Sequence, residues 1–530
     1  MSLSPFLPGR TALICSRGVV SADHPLASAA GLAALRSGGT AMDGALAAAA
    51  VMTVVQPHMS QLGGDAFILS STPQAGKVEA INASGMAPRA ATAARYRAEG
   101  GIPMRGPRAV AGPGIVAGWA EAHARAGRLA WPRLFEAAIA YAEDGFPVSQ
   151  KFSAIIGNLS GVLRACPAAV RQFLPDGDVP TAGSTLRQPN LARTLRALAE
   201  GGRDAFYTGE IAAAIAAAFK EAGGLLDADD LLETQAEVLE PVATTYRGRT
   251  IVEQPPVSQG FIVNAALNIL EGFDIATLSD ADRIHLAAEA IKLAFEDRFA
   301  HAGDPRVVEM PTRWLVSKER AAELRARISG SSVRDFQPPP NFPVPGDTTY
   351  IAAMDSEGNA AGLIQSVFAG FGSGFVAGET GVLFNNRLTG FSLEPGHPNE
   401  LAPGKRTVHT LNSYMVLEGG RPLIVGGTPG ADRQVQTNVQ LITALLDLGL
   451  DPATAQDQPR WSVARGRTLE LEPRCASSMR ENLAGRGWDV LDLEFWSPRT
   501  GRAQIIRRDP ATGALWAASD LRGEGQPSGW

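Results

Sequence analysis

The sequence predicts a layered α+β fold, in which sheets of antiparallel strands are covered by helices. Helix patterns prevail before residue 329, and short strands followed by one apolar helix prevail after residue 347. Of the 530 residues, 45% are hydrophobic and 19% are charged, so the chain can bury several cores or one large two-part core. These observations favour a large globular protein over a disordered one.

The N-terminal elements are predicted from apolar periodicity and from glycine stops. Residues 28–36 are periodic and end at Gly38-Gly39, which stops a helix. We expect an alanine-rich helix over 41–55, a helix-dominated segment over 191–224 and a helix with an aliphatic stripe over 281–301. Residues 66–71 and 78–82 are predicted as two strands joined by a turn.

A composition break at residues 329–346 divides the chain. Its prolines exclude a helix or a central strand, so we expect a flexible and exposed linker. Further along, the pattern predicts strands at 348–355, 360–366, 411–417 and 423–426, and a helix at 435–448. The predicted parts are residues 1–347, which include the linker at 329–347, and residues 348–530.

Composition and charge exclude several classes of function. The net charge of −6 gives no electrostatic reason to bind nucleic acid or an anionic membrane. The three cysteines are far apart, which excludes a disulfide framework and favours a reducing cytoplasm. The longest small-apolar run, 41–55, contains Asp43 and is too short to span a bilayer. We expect no secretory signal, metal or cofactor, and a cytoplasmic location.

The strand that begins at Asp347-Thr348, directly behind the linker, has the features of a self-cleavage site. A hydroxyl at this place can attack the preceding peptide bond. Cleavage would leave Thr348 with a hydroxyl nucleophile and a free α-amine as base. The alternative is an ordinary strand start, which is the commoner role of such a triplet. The linker context favours the catalytic interpretation.

Two glycine-rich segments and the histidines are the other candidate features. Residues 426–432 connect a strand to a helix, and their N–H groups can form a nest for an oxyanion; a tight turn without a ligand is the alternative. Residues 370–374 resemble a dinucleotide loop, but the glycine spacing and the missing acidic residue argue against one. His24, His58 and His409 stand alone, and a lone histidine is more often structural.

Several motifs in the same order make the chain resemble the γ-glutamyltranspeptidase family of N-terminal nucleophile hydrolases. They lie at residues 18–28, 37–43, 57–65, 206–209, 254–260, 287–290, 297–298, 303–305, 347–349, 372–374, 381–386 and 427–430. The resemblance covers nearly the whole chain. It implies a four-layer αββα sandwich made as one precursor and cut between Asp347 and Thr348 into large and small subunits that stay intertwined.

The resemblance also implies roles for individual residues. Thr348 matches the nucleophile, and its freed amine would be the general base. Ser366 matches a hydroxyl that supports the nucleophile. The backbone N–H groups of Gly430 and Ala431 match the oxyanion hole, and Ala431 replaces a usual glycine without loss of the donor. Thr349 matches the second hydroxyl of the nucleophile segment.

The chain departs from the family at the positions that hold a glutamyl group. The arginine of an Arg-Glu-x-Ala-Pro segment is absent, because residues 84–88 read Ser-Gly-Met-Ala-Pro. His409-Thr410 stands where the family has a serine pair, Gly390 stands at the position of an acidic residue, and Phe368 at that of a polar one. A buried α-amino group and α-carboxylate without partners would cost several kcal/mol. Glutathione is therefore not the expected substrate.

Residues 391–398 and 406–412 look closer to the branch that contains oxamate amidohydrolase and cephalosporin-acylase-like proteins. In this alignment Arg387 and His409 are new polar groups near the acyl site. Together with Thr349 and Thr410 they are the candidate substrate-binding residues. A structural ion pair is an equal alternative for Arg387.

We therefore predict a self-cleaving hydrolase that acts on a small non-γ-glutamyl amide, such as oxamate, through a threonyl acyl-enzyme. Its expected partners are the amide and the two subunits of one precursor, which can assemble further into homo-oligomers. Two alternatives stay open. One is a γ-glutamyltransferase or glutathione hydrolase with a rearranged pocket, and the other is a scaffold protein that is never processed.

Overall fold

A computed structural model describes residues 11–339, 342–344 and 346–530. Its strands are β1 (Leu13–Cys15), β2 (Gly18–Ala22), β3 (Asp65–Ser71), β4 (Val78–Ala83), β5 (Phe146–Pro147), β6 (Thr185–Leu186), β7 (Glu237–Leu239), β8 (Val242–Tyr246), β9 (Arg249–Glu253), β10 (Asp347–Asp355), β11 (Ala360–Phe368), β12 (Ser413–Glu418), β13 (Arg421–Gly427), β14 (Trp461–Val463), β15 (Thr468–Leu471), β16 (Asp489–Asp492), β17 (Gln504–Arg508), β18 (Leu515–Ser519) and β19 (Ser528–Gly529).

The helices are α1 (Pro25–Arg36), α2 (Ala41–Val55), α3 (Ala93–Ala98), α4 (Ile115–Ala126), α5 (Glu136–Glu143), α6 (Gln150–Arg164), α7 (Pro167–Phe173), α8 (Pro189–Tyr207), α9 (Glu210–Glu221), α10 (Ala228–Leu232), α11 (Gly260–Leu270), α12 (Asp280–His301), α13 (Thr312–Leu315), α14 (Lys318–Arg325), α15 (Arg433–Leu446), α16 (Pro452–Asp457) and α17 (Ser477–Gly485). Short 3₁₀ turns lie between them, one of which is Arg387–Gly390.

Two seven-stranded sheets form the centre of the molecule. The first has the order β1-β18-β17-β13-β12-β9-β8, and the second has the order β19-β2-β10-β11-β3-β4-β7. The pairings within both sheets are antiparallel. Strand β10, which begins at the predicted cleavage site, therefore lies in the middle of the second sheet.

The alternation of side chains on β10 defines the layers. Tyr350 and Ala352 point into the apolar core between the two sheets, together with residues such as Met415. Ile351 and Ala353 point the other way, into a core shared with the helices α1, α2 and α4. A third core joins the first sheet to α11, α12 and α15. The protein is thus the expected four-layer αββα sandwich.

Helix α2 shows how the sequence produces one of these layers. Its N-terminus is a capping box, in which Thr40 and Asp43 bind each other's backbone N–H groups. Small side chains then permit close packing, because a Cβ added to Gly31 on α1 would lie only 2.7 Å from the carbonyl oxygen of Gly44. The predicted range of this helix, 41–55, is confirmed.

Most other predicted elements are confirmed, with shifted ends. The strand predicted at 348–355 begins one residue earlier, at Asp347, and the one predicted at 360–366 extends to Phe368. The segment predicted as helix-dominated contains α8 and α9. No helix in the described ranges is long and apolar enough to cross a membrane.

The proline-rich segment differs from the exposed linker that its composition suggests. Phe336 and Phe342 are buried to 1% and 6% exposure and belong to the core beneath the first sheet. Their rings contact Phe299 on α12. The prolines prevented regular structure, as expected, but the phenylalanines between them anchor the segment. The predicted positions Pro340, Asn341 and Pro345 lie outside the described residues.

Candidate active site

The nucleophile candidate lies at an irregularity between the two central strands. Asp347 pairs with Phe368 and Thr349 with Gln365, so β11 carries one residue more than β10 opposite Thr348. Such a bulge re-aims the side chains beside it. Thr348 is buried, with 2% of its surface exposed.

Hydroxyl groups link Thr348 to the peptide bond that precedes it. The Thr348 Oγ1 hydroxyl donates to Ser366 Oγ at 3.2 Å, and the Ser366 hydroxyl donates to the carbonyl oxygen of Asp347 at 2.6 Å. Ser366 Oγ also accepts a bond from the N–H of Phe368 at 2.7 Å, which fixes its position. The structure therefore brings the predicted pair Thr348 and Ser366 together at the predicted cleavage site.

The glycine-rich turn between β13 and α15 lies against this site. Gly430 and Ala431 have φ values of 131° and 50°, and a left-handed residue before a helix exposes successive N–H groups. Neither N–H has an acceptor among the described residues. A Cβ added to Gly346 would lie 3.0 Å from the Cβ of Ala431, so the turn is packed directly against the segment before Thr348.

Arg387 and His409 meet at the carboxylate of Asp65. Arg387 Nε donates to Asp65 Oδ2 at 2.9 Å, and His409 Nε2 lies 3.2 Å from the same oxygen. The other oxygen, Oδ1, accepts from the N–H of Gly85 at 2.7 Å. All three side chains are buried. The ion pair that was an alternative for Arg387 is thus present.

The cluster of Asp65, Arg387 and His409 is adjacent to the nucleophile. Asp65 is opposite Ser366 in the pairing of β3 with β11. The guanidinium carbon of Arg387 lies 4.2 Å from the ring centroid of Phe368, a residue with φ of 80° at the end of β11. Arg387 Nη2 has no hydrogen-bond partner among the described residues.

Burial and charge set the protonation of this cluster. Burial alone would raise the pKa of Asp65, but the charge of Arg387 and the hydrogen bond with His409 hold it below its usual range. Burial, and then the charge of Arg387, lower the pKa of His409 to about 4. His409 Nδ1 accepts from the N–H of Leu411 at 3.3 Å. His409 is therefore a neutral imidazole near pH 7.

The two threonine candidates are also buried. Thr349 Oγ1 has no hydrogen-bond partner among the described residues. The carbonyl oxygen of Thr410 accepts from Gln259 Nε2 at 2.8 Å, and the same amide donates to the carbonyl of Ala431 at 3.1 Å. Gln259 thus joins the segment of His409 and Thr410 to the glycine-rich turn.

A cavity of about 540 Å³ opens next to the cleavage site. Its wall includes Gly346, Asp347, Gly370 and Gly430. Arg387, His409 and Thr410 are not among its lining residues. The cavity therefore gives access to the start of β10 from a side that does not include Arg387, His409 and Thr410.

Three further site residues were missed by the sequence reasoning. Asp65 was noticed only within a motif, yet it binds both Arg387 and His409. Arg502 donates through Nε to Asp23 Oδ2 at 2.8 Å, and its Nη2 lies 3.4 Å from the carbonyl oxygen of Thr348. Arg105 donates to the carbonyl oxygen of Gly370 at 2.7 Å. Nothing in the local sequence around the two arginines distinguishes them from surface arginines.

Comparisons with known proteins agree over the whole chain. The family model described as Gamma-glutamyltranspeptidase matches residues 27–530. The chain is 36% identical to the glutathione hydrolase-like YwrD proenzyme of Bacillus subtilis (strain 168), covering 98% of this chain and 99% of that protein. It is 37% identical to the oxamate amidohydrolase proenzyme of Klebsiella pneumoniae, with the same coverage.

A solved structure of a similar protein has the same fold. The cephalosporin acylase from Bacillus halodurans superposes with a TM-score of 0.93 and is 34% identical, covering 100% of this chain and 99% of that one. The fold thus has a counterpart that extends over the full length of the chain.

Proposed function

The chain belongs to the γ-glutamyltranspeptidase family of N-terminal nucleophile hydrolases, and from this premise we propose that it is a self-cleaving amidohydrolase with Thr348 as its nucleophile. The observation that carries the proposal is the hydrogen-bonded path from the Thr348 hydroxyl through Ser366 to the carbonyl oxygen of Asp347. A strand-start threonine without a catalytic role would not need a second hydroxyl bound to the preceding carbonyl.

Self-cleavage follows from this path. Thr348 Oγ1 attacks the carbonyl carbon of Asp347, and its proton is passed through Ser366 as the new C–O bond forms. The C–N bond then breaks, the proton moves to the departing nitrogen, and an ester joins Asp347 to Thr348 Oγ1. Water hydrolyses this ester, which leaves a carboxylate on Asp347 and a free α-amine on Thr348.

Amide hydrolysis uses the same hydroxyl with the new amine as base. The α-amine of Thr348 takes the Oγ1 proton while Oγ1 bonds to the carbonyl carbon of the substrate. The N–H groups of Gly430 and Ala431 would bind the oxyanion, and the proton goes to the leaving amine as the C–N bond breaks. Water then hydrolyses the acyl-enzyme to release the acid and restore Thr348.

We propose that the substrate is a small amide without a γ-glutamyl group, such as oxamate. Two positions support this. The hydroxyl of Ser84, at the family's arginine position, is bound to Asn82 Oδ1 at 2.7 Å. A Cβ added to Gly390 would lie 3.0 Å from Thr407 Oγ1, so an acidic side chain there would crowd Thr407. The similarity to an oxamate amidohydrolase supports the same choice.

Arg387, His409, Thr349 and Thr410 remain the proposed substrate-binding residues on the buried side. Arg387 Nη2 supplies a donor that is not used within the described residues, and such a donor suits an anionic or carbonyl-rich acyl group. A cytoplasmic location and further assembly into homo-oligomers stay predictions. The free cysteines Cys15, Cys166 and Cys475 favour the former.

The first alternative is a γ-glutamyltransferase or glutathione hydrolase with a rearranged pocket, which the similarity to a glutathione hydrolase-like protein favours. The second is a scaffold that is never processed. To distinguish these three hypotheses, purified protein is incubated and the masses of its fragments are measured by mass spectrometry. Ammonia release from small amides and anilide release from a γ-glutamyl anilide are then measured.

We expect two fragments that begin at Met1 and Thr348, ammonia release from small amides and no anilide release. Fast anilide turnover would favour the first alternative, and a chain that stays whole would favour the second. Ser366→Ala should slow self-cleavage by roughly 10²- to 10³-fold, because a donor to the developing oxyanion is lost. Ser366→Thr keeps the hydroxyl and is the matched control.

A further inference from the structure

The cavity next to Thr348 is lined by more cationic than anionic side chains. Its charged lining consists of Arg105, Arg433, Arg499, Arg502, Asp347 and Glu470. Arg433 and Arg499 share the carboxylate of Glu470, at 2.8 and 3.1 Å. Glu470 therefore holds both arginines in place but balances only one of their two positive charges.

Arg105 and Arg502 are the other two arginines of the cavity lining. Arg105 donates to the carbonyl oxygens of Gly370 and Gly372, which are neutral acceptors. Arg502 is held by Asp23 through Nε, whereas its Nη2 end is turned toward Thr348 and Asp347. The two guanidinium groups thus border the cavity on the side where β10 begins.

The carboxylate of Asp347 lies near Arg502 and near Gly370, whose carbonyl Arg105 binds. Its Oδ1 lies 3.9 Å from Arg502 Nη2. A Cβ added to Gly370 would lie 2.9 Å from Asp347 Oδ2, and the carbonyl of Gly370 is the group that Arg105 binds. Burial raises the pKa of Asp347, and the charges of Arg502 and Arg105 oppose that rise.

Asp347 is also the first acyl group that Thr348 receives. In self-cleavage the ester on Thr348 Oγ1 is formed with the Asp347 carbonyl, and in amide hydrolysis an ester on the same oxygen is formed with the substrate. The aspartyl group has a four-carbon skeleton, in which a carboxylate ends the chain that starts at the reacting carbonyl. The precursor therefore presents a four-carbon acyl group with its carboxylate at Arg105 and Arg502.

We propose that Arg105 and Arg502 form the carboxylate site for the acyl group of the substrate, a site that Asp347 fills until the chain is cut. The substrate class is then a monoamide of a four-carbon dicarboxylic acid, with succinamate as the simplest member. This inference rests on the proposed function and extends it, because it names the acyl group among the small amides without a γ-glutamyl group.

The first test measures kcat/KM for ammonia release by the processed enzyme. The substrates are oxamate, malonamate, succinamate, glutaramate and butanamide, which has the succinamate skeleton with a methyl group in place of the carboxylate. We expect succinamate to be the best of the acids and to exceed butanamide by at least about tenfold, as one charged hydrogen bond suggests. Arg105→Gln should reduce that ratio by about tenfold or more, mainly through KM.

The control variant is Arg36→Gln, which changes an exposed arginine at the end of α1 and should keep the wild-type ratio. Equal turnover of succinamate and butanamide, or an unchanged ratio in Arg105→Gln, would overturn the inference and leave the proposed function intact. If a correctly cut enzyme releases ammonia from none of the amides, the proposed function fails, and the inference fails with it.

A second test needs no activity. In the uncut Thr348→Ala chain, Asp347 should exclude succinate, whereas in Thr348→Ala/Asp347→Ala the site is open. Calorimetry should show at least about tenfold tighter binding of succinate to the second chain, and this gain should vanish when Arg105→Gln is added. Equal binding of succinate to both chains would contradict the inference.

Discussion

The nucleophile end of β10 and the buried cluster of Asp65, Arg387 and His409 lie on neighbouring strands, yet different interactions hold them. At the nucleophile, the Thr348 hydroxyl donates to a neutral group, the hydroxyl of Ser366. In the cluster, one carboxylate accepts from a guanidinium and a backbone N–H and lies 3.2 Å from an imidazole nitrogen. Backbone donors survive side-chain replacement, whereas a buried charge requires its partner. The backbone groups that take part in the reaction can therefore be retained in a protein whose substrate-binding side chains have changed.

The largest expected effect is at the nucleophile. Thr348→Ala should stay a single chain and lose at least about 10⁴-fold in amidase activity, because hydroxyl and base both depend on this residue. Thr512→Ala, in an exposed turn, is the control and should be cut normally. Gel electrophoresis and ammonia release check both. A cut between the same residues in Thr348→Ala would show that another group performs the cleavage.

The second effect breaks the buried cluster. Asp65→Asn should lower the free energy of unfolding by about 3–5 kcal/mol, because it leaves Arg387 charged and unpaired in the interior. Asp65→Leu/Arg387→Met removes both charges and should recover part of that loss. Urea unfolding in the uncut Thr348→Ala background measures each value. A loss below about 1 kcal/mol for Asp65→Asn would mean that water reaches the pair.

The third effect concerns pH. The pKa of His409 falls from 6.5 in the unfolded chain to about 4 in the folded one. Between these values the unfolded chain binds the proton and the folded chain does not. Stability from this group is therefore complete above about pH 6.5 and is lost as the pH falls toward 4, by up to about 3 kcal/mol.

The Asp65 carboxylate acts with the same sign at lower pH, because its folded pKa is also depressed. His409→Asn should flatten the dependence of the urea midpoint on pH between about 6 and 4.5. An unchanged slope would mean that other buried groups, such as His58, whose pKa burial lowers to about 3, account for the acid sensitivity.

The smallest effect is at the glycine-rich turn. Ala431 has φ of 50°, where a side chain costs about 1 kcal/mol relative to glycine. Ala431→Gly should stabilise the protein by up to about that amount and keep activity within roughly threefold, since the N–H donor stays in place. Ala431→Pro removes the donor and is the contrasting variant. A large loss of activity in Ala431→Gly would give the methyl group a role in the site.

The sequence predicted local features well. Helix α2 has its predicted bounds because capping and alanine content are encoded within one stretch of chain. The link between Thr348 and Ser366 was also predicted, from a resemblance that places both on adjoining strands. The local residue pattern and the order of the family motifs were sufficient to predict these features.

Contacts between distant residues were not predictable in the same way. Asp65 and Arg387 are 322 positions apart, and Arg502 and Asp23 are 479 apart. Each becomes a pair only through the packing of strands and loops from opposite ends of the chain. The prediction that the proline-rich segment is exposed was wrong for a related reason. The burial of Phe336 and Phe342 depends on their contacts with α12, which is distant in the sequence.

The residues before Thr348 and those from Thr348 onward contribute alternating strands to both sheets. This arrangement determines whether folding or cleavage comes first. In one sheet β10 and β11 lie between β2 and β3, and in the other β12, β13, β17 and β18 lie between β1 and β9. Neither part of the chain can pair the backbone N–H and C=O groups at the edges of its strands without the other part. If the chain is cut as proposed, folding precedes the cut, and we expect that dilution will not separate the two pieces afterwards. In the proposed reaction, the α-amine of Thr348 would thus be released only after the surrounding site is folded.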